Sequence, residues 1–202
     1  RIPYQYGLEE RTRADGTFRR NEEYGLGDIS LGLSKELWIG KGGYMPSLIG
    51  RVQWKTTTGE SVYDGASLGI GSGFNALRTE ITALRPIDPA AVYATLGYTV
   101  NFGDDKGASG DINPGDTISA AVGTTLALNR DLAVSFGFDA QWTQNSSLNG
   151  VTVNGSSYNV GDFTFGMTYQ FMPNRRLDMG FSAGLTRDAP DYSVTVSMPF
   201  RF

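Results

Sequence analysis

Large apolar side chains recur at every second residue over long stretches of this chain. In 191–202 the even positions are Tyr192, Val194, Val196, Met198, Phe200 and Phe202, and the odd ones are Asp191, Ser193, Thr195, Ser197, Pro199 and Arg201. The same period sets Leu132, Val134, Phe136, Phe138, Ala140 and Trp142 against Ala133, Ser135, Gly137, Asp139, Gln141 and Thr143. It sets Phe163, Phe165, Met167, Tyr169 and Phe171 against Asp162, Thr164, Gly166, Thr168 and Gln170. Successive side chains leave opposite faces of an extended backbone, so each stretch predicts a strand with one greasy face and one wet face.

Ten such strands are readable. The first carries Ile2, Tyr4, Tyr6 and Leu8; the next three centre on Ile29–Leu33, Leu48–Trp54 and Leu77–Ala83. Val92–Phe102, Ile118–Leu128, Leu132–Trp142, Phe163–Phe171, Leu177–Leu185 and 191–202 follow. Their length, roughly 10 to 13 residues, suits a tilted membrane strand of ~9–11. The connections alternate. Short ones fall at Trp38–Tyr44, Arg85–Pro89, Asn129–Asp131 and Pro173–Arg176, and long Gly-rich ones at Glu10–Tyr24, Thr58–Gly73, Gly103–Asp116 and Gln144–Val160. Only Arg187–Asp191 is short where a long loop is due. Short turns on one rim and long loops on the other mark bacterial outer-membrane barrels. A soluble β-sandwich also alternates, but it would have to fit Phe136, Phe138, Trp142, Phe163, Phe165 and Phe171 into one core ~10 Å thick. The expectation is an all-β, antiparallel transmembrane β-barrel, one domain over residues 1–202. Its long loops are extracellular and its short turns periplasmic, with Phe202 at the periplasmic rim.

Composition narrows the functions. No stretch reaches the ~20 apolar residues of a membrane helix, and the slightly negative mean hydropathy suits a barrel whose strands are half wet. The chain has no cysteine and no histidine, which removes disulfides, thiol nucleophiles, Ser-His chemistry and the common metal ligands. A net charge of −4 without a basic run argues against nucleic acid. Glu22-Glu23 and Asp104-Asp105 read as solvated loop charge, and the Gly69–Gly73 run lacks the helix a phosphate loop needs. The acidic residues of the 103–116 loop match no EF-hand spacing. No enzyme, cofactor or metal is expected.

The wet face then lines the lumen. Its candidate pore-lining residues are Asp28, Glu36, Arg51, Gln53, Lys55, Arg78, Glu80, Asp139, Gln141, Asp162, Asp178 and Arg201. Arg51, Lys55 and Arg78 stand to form cross-strand ion pairs with Glu80, Asp28 and Glu36, or to form a charged constriction. Lumenal glycines such as Gly97, Gly123, Gly137 and Gly166 either leave water-filled space or ease strand coiling.

Gly25-Leu26-Gly27-Asp28-Ile29-Ser30-Leu31-Gly32-Leu33-Ser34, Pro46-Ser47-Leu48-Ile49-Gly50 and Thr58-Gly59 resemble an outer-membrane transporter-like family labelled after the meta pathway of phenol degradation. Arg1-Ile2-Pro3-Tyr4 resembles the segment just upstream in those proteins. Within the family the chain is most similar to the outer-membrane exporters of the pseudomonad functional-amyloid (Fap) systems. That resemblance implies a homotrimer of twelve-stranded barrels, each preceded by a periplasmic helical plug. Neither the plug nor one hairpin is readable in this sequence, so its ten strands are expected to be part of a twelve-stranded barrel. The terminal Phe202 resembles the aromatic ending read by the barrel-insertion machinery. The expected function is secretion of unfolded amyloid subunits. The alternatives are passive diffusion of small aromatic or hydrophobic molecules, and a structural or adhesive barrel. Membrane lipid, the insertion machinery and the cargo are the implied partners.

Overall fold

The computed structural model describes residues 4–12, 18–41, 44–64, 69–172 and 175–199. Two strands, β1 (Tyr4–Thr12) and β2 (Phe18–Leu26), pair antiparallel as a separate hairpin. The body is one nine-stranded antiparallel sheet. It contains β3 (Ser30–Trp38), β4 (Ser47–Lys55), β5 (Ala76–Ile87), β6 (Ala90–Asn101), β9 (Thr117–Ala127), β10 (Leu132–Thr143), β13 (Tyr158–Met172), β14 (Arg175–Gly184) and β15 (Tyr192–Ser197). Short loop strands β7 (Asp104–Asp105), β8 (Asp111–Asn113), β11 (Ser147–Leu148) and β12 (Val151–Thr152) form a third sheet. With those loop strands set aside, every strand of the body pairs with its chain neighbour, an up-and-down meander from β3 to β15.

These nine strands coincide with those read from the period-two pattern. Three points differ. The segment Glu10–Tyr24 is not a loop: it contains the end of β1 and most of β2, and 13–17 alone lies between them. Its polar run Arg19-Arg20-Asn21-Glu22-Glu23 carries no apolar alternation. Backbone pairing with β1, which needs no greasy face, makes it a strand. The long loops 103–116 and 144–157 are likewise not featureless. β8 of the first pairs with β11 of the second, so the two loops fold as one small sheet. The last strand is shorter than its pattern, ending at Ser197; Phe200, Arg201 and Phe202 lie outside the described residues, as does Ile2.

The apolar face of the nine-stranded sheet has no protein partner. Among the described residues, only Phe74 and Ala76 are buried hydrophobics, while Leu31, Leu33, Trp54, Leu96, Val122, Phe138, Phe181 and Val194 are all exposed. A soluble protein of 21.8 kDa exposes about 9,300 Å² when folded. This chain exposes 13888 Å², half as much again. Outward aromatics pair with one another across the strands, as in Phe136–Phe165 and Phe138–Phe163, whose ring centroids lie 5.3 and 5.2 Å apart. No helix among the described residues is long and apolar enough to cross a membrane. The strands carry the apolar surface instead.

The polar face is concave. Ser30 on β3 and Tyr158 on β13 line the same cavity of about 310 Å³, together with residues of all five strands between them. In a flat sheet, seven strands at ~4.8 Å spacing would hold those two residues nearly 30 Å apart. Right-handed twist and coiling bring them together. β3 and β15 are the sheet's two edges and do not pair with each other among the described residues.

Candidate functional site

The inner face is built from rungs of residues that oppose each other across the ladders. One rung runs Ser34, Arg51, Glu80, Gly97, Ser119, Gln141. The next toward the long-loop rim runs Gly32, Gln53, Arg78, Thr99, Thr117, Thr143. The hydroxyls on this face satisfy one another: Thr82 with Thr95 at 2.8 Å, Thr117 with Thr143 at 2.9 Å and Ser182 with Ser193 at 2.8 Å. Cross-strand hydroxyl pairs of this kind hold a wet face together without a core.

Of the predicted lining residues, Gln53, Lys55, Arg78 and Gln141 border the 310 Å³ cavity. Arg78, Glu80, Asp139 and Gln141 border a second cavity of about 240 Å³. Arg51 lies across the ladder from Glu80, and Glu36 across from Ile49. Asp139 and Asp162 are direct cross-strand partners, and the Thr164 hydroxyl donates to Asp139 at 3.3 Å. Asp178 sits farther down, accepting from Thr168 Oγ1 at 2.8 Å and from Arg176 Nε at 2.9 Å. Arg201 and Phe202 lie outside the described residues.

Two of the expected cations form ion pairs. Lys55 Nζ lies 3.7 Å from Asp28, joining β4 to the segment that precedes β3. Arg78 pairs with Glu80 at 2.7 Å, along one strand rather than across two as expected. Residues i and i+2 share a face, and on this curled sheet that spacing brings the guanidinium to the carboxylate.

Asp28 does more than line the wall. Its carboxylate accepts from Gly59 N at 3.1 Å, Ser72 N at 2.9 Å and Ser72 Oγ at 2.8 Å. Thr58 Oγ1 accepts from Ile29 N at 2.8 Å. The loop therefore folds back onto the Gly27-Asp28-Ile29 corner. Its strands come so close that a Cβ at Gly59 would lie 2.8 Å from Gly71 Cα, which only glycine permits. The separate motif fragments Gly27–Ile29 and Thr58-Gly59 are thus the two halves of one loop clamp.

Three participants were not singled out from the sequence. Tyr93 projects inward, where a Cβ on Gly123 or Gly137 would lie 2.6 or 3.0 Å from its Oη. The space left by these two glycines is filled by the Tyr93 phenol. Tyr93 occupies an inward position in the Val92–Phe102 alternation, but most aromatics of the strands mark the greasy face. Lys106, in the 103–116 loop, lies 5.0 Å over the Phe74 ring and pairs with Asp104 at 2.8 Å. That pair holds the Asp104 carboxyl below the ordinary aspartate range, through the Lys106 hydrogen bond and then its charge. Tyr158 lines a third cavity of about 180 Å³, with Phe74, Pro114 and Ser146 from three different loops. The loops therefore fold over the mouth of the lumen.

A polar lumen inside an uncovered apolar sheet can be set against known proteins. The family model described as "Putative MetA-pathway of phenol degradation" matches residues 5–202. The chain belongs to that family. Its fold is similar to the solved "COG4313 outer membrane channel from Pseudomonas putida F1", with a TM-score of 0.75 at 14% sequence identity. The match covers 88% of this chain and 66% of that one, so this member of the family spans just under two thirds of that channel's length. The likeness shows the fold: an antiparallel transmembrane β-barrel sheet.

Proposed function

We propose that this protein is an outer-membrane channel for small polar solutes. One observation carries the reading: a polar cavity shared by seven strands on a sheet whose other face is apolar and uncovered. Membrane lipid covers the outer face, the long loops are extracellular and the short turns periplasmic. The structural likeness to an outer membrane channel and the family match support an outer-membrane location. We read the work of the site as transport rather than catalysis. Insertion machinery that reads Phe202 and a trimeric assembly belong to the same proposal.

The cavities of about 310, 240 and 180 Å³ adjoin one another through shared wall residues such as Arg78 and Tyr158, and the polar groups lining them suit small hydrated solutes. The export of unfolded amyloid subunits rests on the sequence resemblance and would use the same polar face. Planar-bilayer recording of the purified protein, with liposome uptake of solutes of graded size, tests the proposal. Uptake should cut off at small solutes. A barrel that inserts and stays folded but never conducts sinks the channel reading. Loss of surface amyloid on deletion of the gene would favour export instead.

A further inference from the structure

We propose that the 310 Å³ lumenal cavity is a binding site for a small organic carboxylate. The inference rests on the channel reading only for its biological use; the site itself stands on the geometry of the cavity wall.

The eleven residues lining this cavity include two cations, Lys55 and Arg78, and no acid. That is unexpected in a chain of net charge −4, and the ion pairs explain it. In Lys55–Asp28 the side chains are 31% and 9% exposed; in Arg78–Glu80 they are 40% and 12% exposed. Each pair places its base on the wall of this cavity; Asp28 is held under the loop, and Glu80 turns to the adjoining cavity of about 240 Å³. Asp28 is further occupied by the two backbone amides and the hydroxyl of the loop clamp, so its charge is spent away from the lumen. Arg78 Nε is buried without a hydrogen-bond partner. An anion in the cavity would meet the exposed part of this guanidinium rather than its covered Nε.

The remaining wall chooses among anions. Gln53, Asn101 and Gln141 supply amide groups, and Ala76 and Tyr158 supply an apolar patch. Guanidinium plus ammonium recognises a planar carboxylate with directed, charge-assisted hydrogen bonds. The apolar patch favours a carboxylate with a hydrocarbon body over inorganic chloride or phosphate. A cavity near the lower bound of typical ligand pockets, ~300 Å³, admits a single ring or a short chain.

Calorimetric titration of the full, folded protein in detergent tests this, with sodium benzoate as probe and benzyl alcohol and benzylamine as neutral and cationic comparators. Benzoate should bind at least tenfold more tightly than either comparator. K55Q/R78Q should lose at least tenfold in benzoate affinity. Glu80→Gln releases the Arg78 guanidinium while preserving shape, so it should tighten benzoate binding several-fold. Retention of the compact, heat-modifiable band on gel electrophoresis verifies folding of each variant; if the double variant does not fold, E80Q alone decides. Equal affinity for benzoate and benzyl alcohol overturns the proposal, as does unchanged benzoate affinity in the folded variants. Conductance is recorded separately. Benzoate binding without conductance would leave the site standing and sink the channel reading, whereas conductance without benzoate binding would do the reverse.

Discussion

Replacing Asp28 with alanine should loosen the loop around Gly59 and Ser72 while leaving the sheet intact. The carboxylate accepts from Gly59 N, Ser72 N and Ser72 Oγ at 3.1, 2.9 and 2.8 Å and pairs with Lys55 at 3.7 Å. A hydrogen bond to a charged group contributes about 1.5–3 kcal/mol net. Water can reach part of this corner, so the three bonds together are worth roughly 3 kcal/mol rather than their full sum. That equals about a hundredfold in the opening equilibrium of the loop. Amide hydrogen exchange of the detergent-solubilised protein reads it directly. Gly59 and Ser72 should lose about a hundredfold in protection, while amides of the β9–β10 ladder, which share no bond with Asp28, should not change. Asp28→Asn should restore only part of the protection, because its amide nitrogen faces donors and cannot accept from them. Unchanged protection at Gly59 and Ser72 would show that backbone contacts alone hold the clamp. Equal losses in the β9–β10 ladder would show that Asp28 supports the whole sheet. Either result refutes the reasoning.

Three further outcomes follow from the two faces and the loops. Leu96→Arg, on the outer face, should destabilise the protein in vesicles by about 2–4 kcal/mol if it sits near mid-bilayer. Thr99→Arg, bordering the cavity, should cost far less; urea titration of both variants checks the assignment of the faces, and equal costs would reverse or erase it. Tyr93→Ala should raise conductance by emptying the space over Gly123 and Gly137. Gly123→Ala should cost about 1–3 kcal/mol, because its Cβ would lie 2.6 Å from both Phe136 O and Tyr93 Oη. Combining Gly123→Ala with Tyr93→Ala should recover part of that cost but not all of it, since the backbone contact remains; urea titration would show a full recovery if that contact were harmless. Asp104 is held below the ordinary aspartate value by Lys106, so its contribution to loop order is present above the unfolded-state value and is lost as pH falls through the depressed one. Carboxyl NMR should show Asp104 titrating low in the wild type and moving up toward the ordinary value in Lys106→Met.

The order of the body was legible because each strand from β3 to β15 carries its own greasy and wet faces, and a period of two needs no partner to be seen. Which residues face inward follows from the same parity, so Gln53, Lys55, Arg78 and Gln141 could be named from alternation alone. Strand β2 was not legible. Its Arg19–Glu23 run is polar throughout, and only its backbone pairing with β1 makes it extended. The Asp28 clamp was half legible: its fragments stood out, but they lie about thirty residues apart and meet only when β3 and β4 pair.

By itself, then, the sequence determined the all-β class, the strand meander and the division into two faces, because alternation is a local property of adjacent residues. Only the tertiary structure decided where the space is and what charge it presents. Coiling brings Ser30 and Tyr158 to one cavity, and Tyr93 closes the gap over two glycines. Gly59 and Ser72 close over Asp28, and Lys55 is left on the cavity wall. Those outcomes depend on contacts between residues far apart in the chain, set by the curvature of the sheet, which no alternation of side chains records.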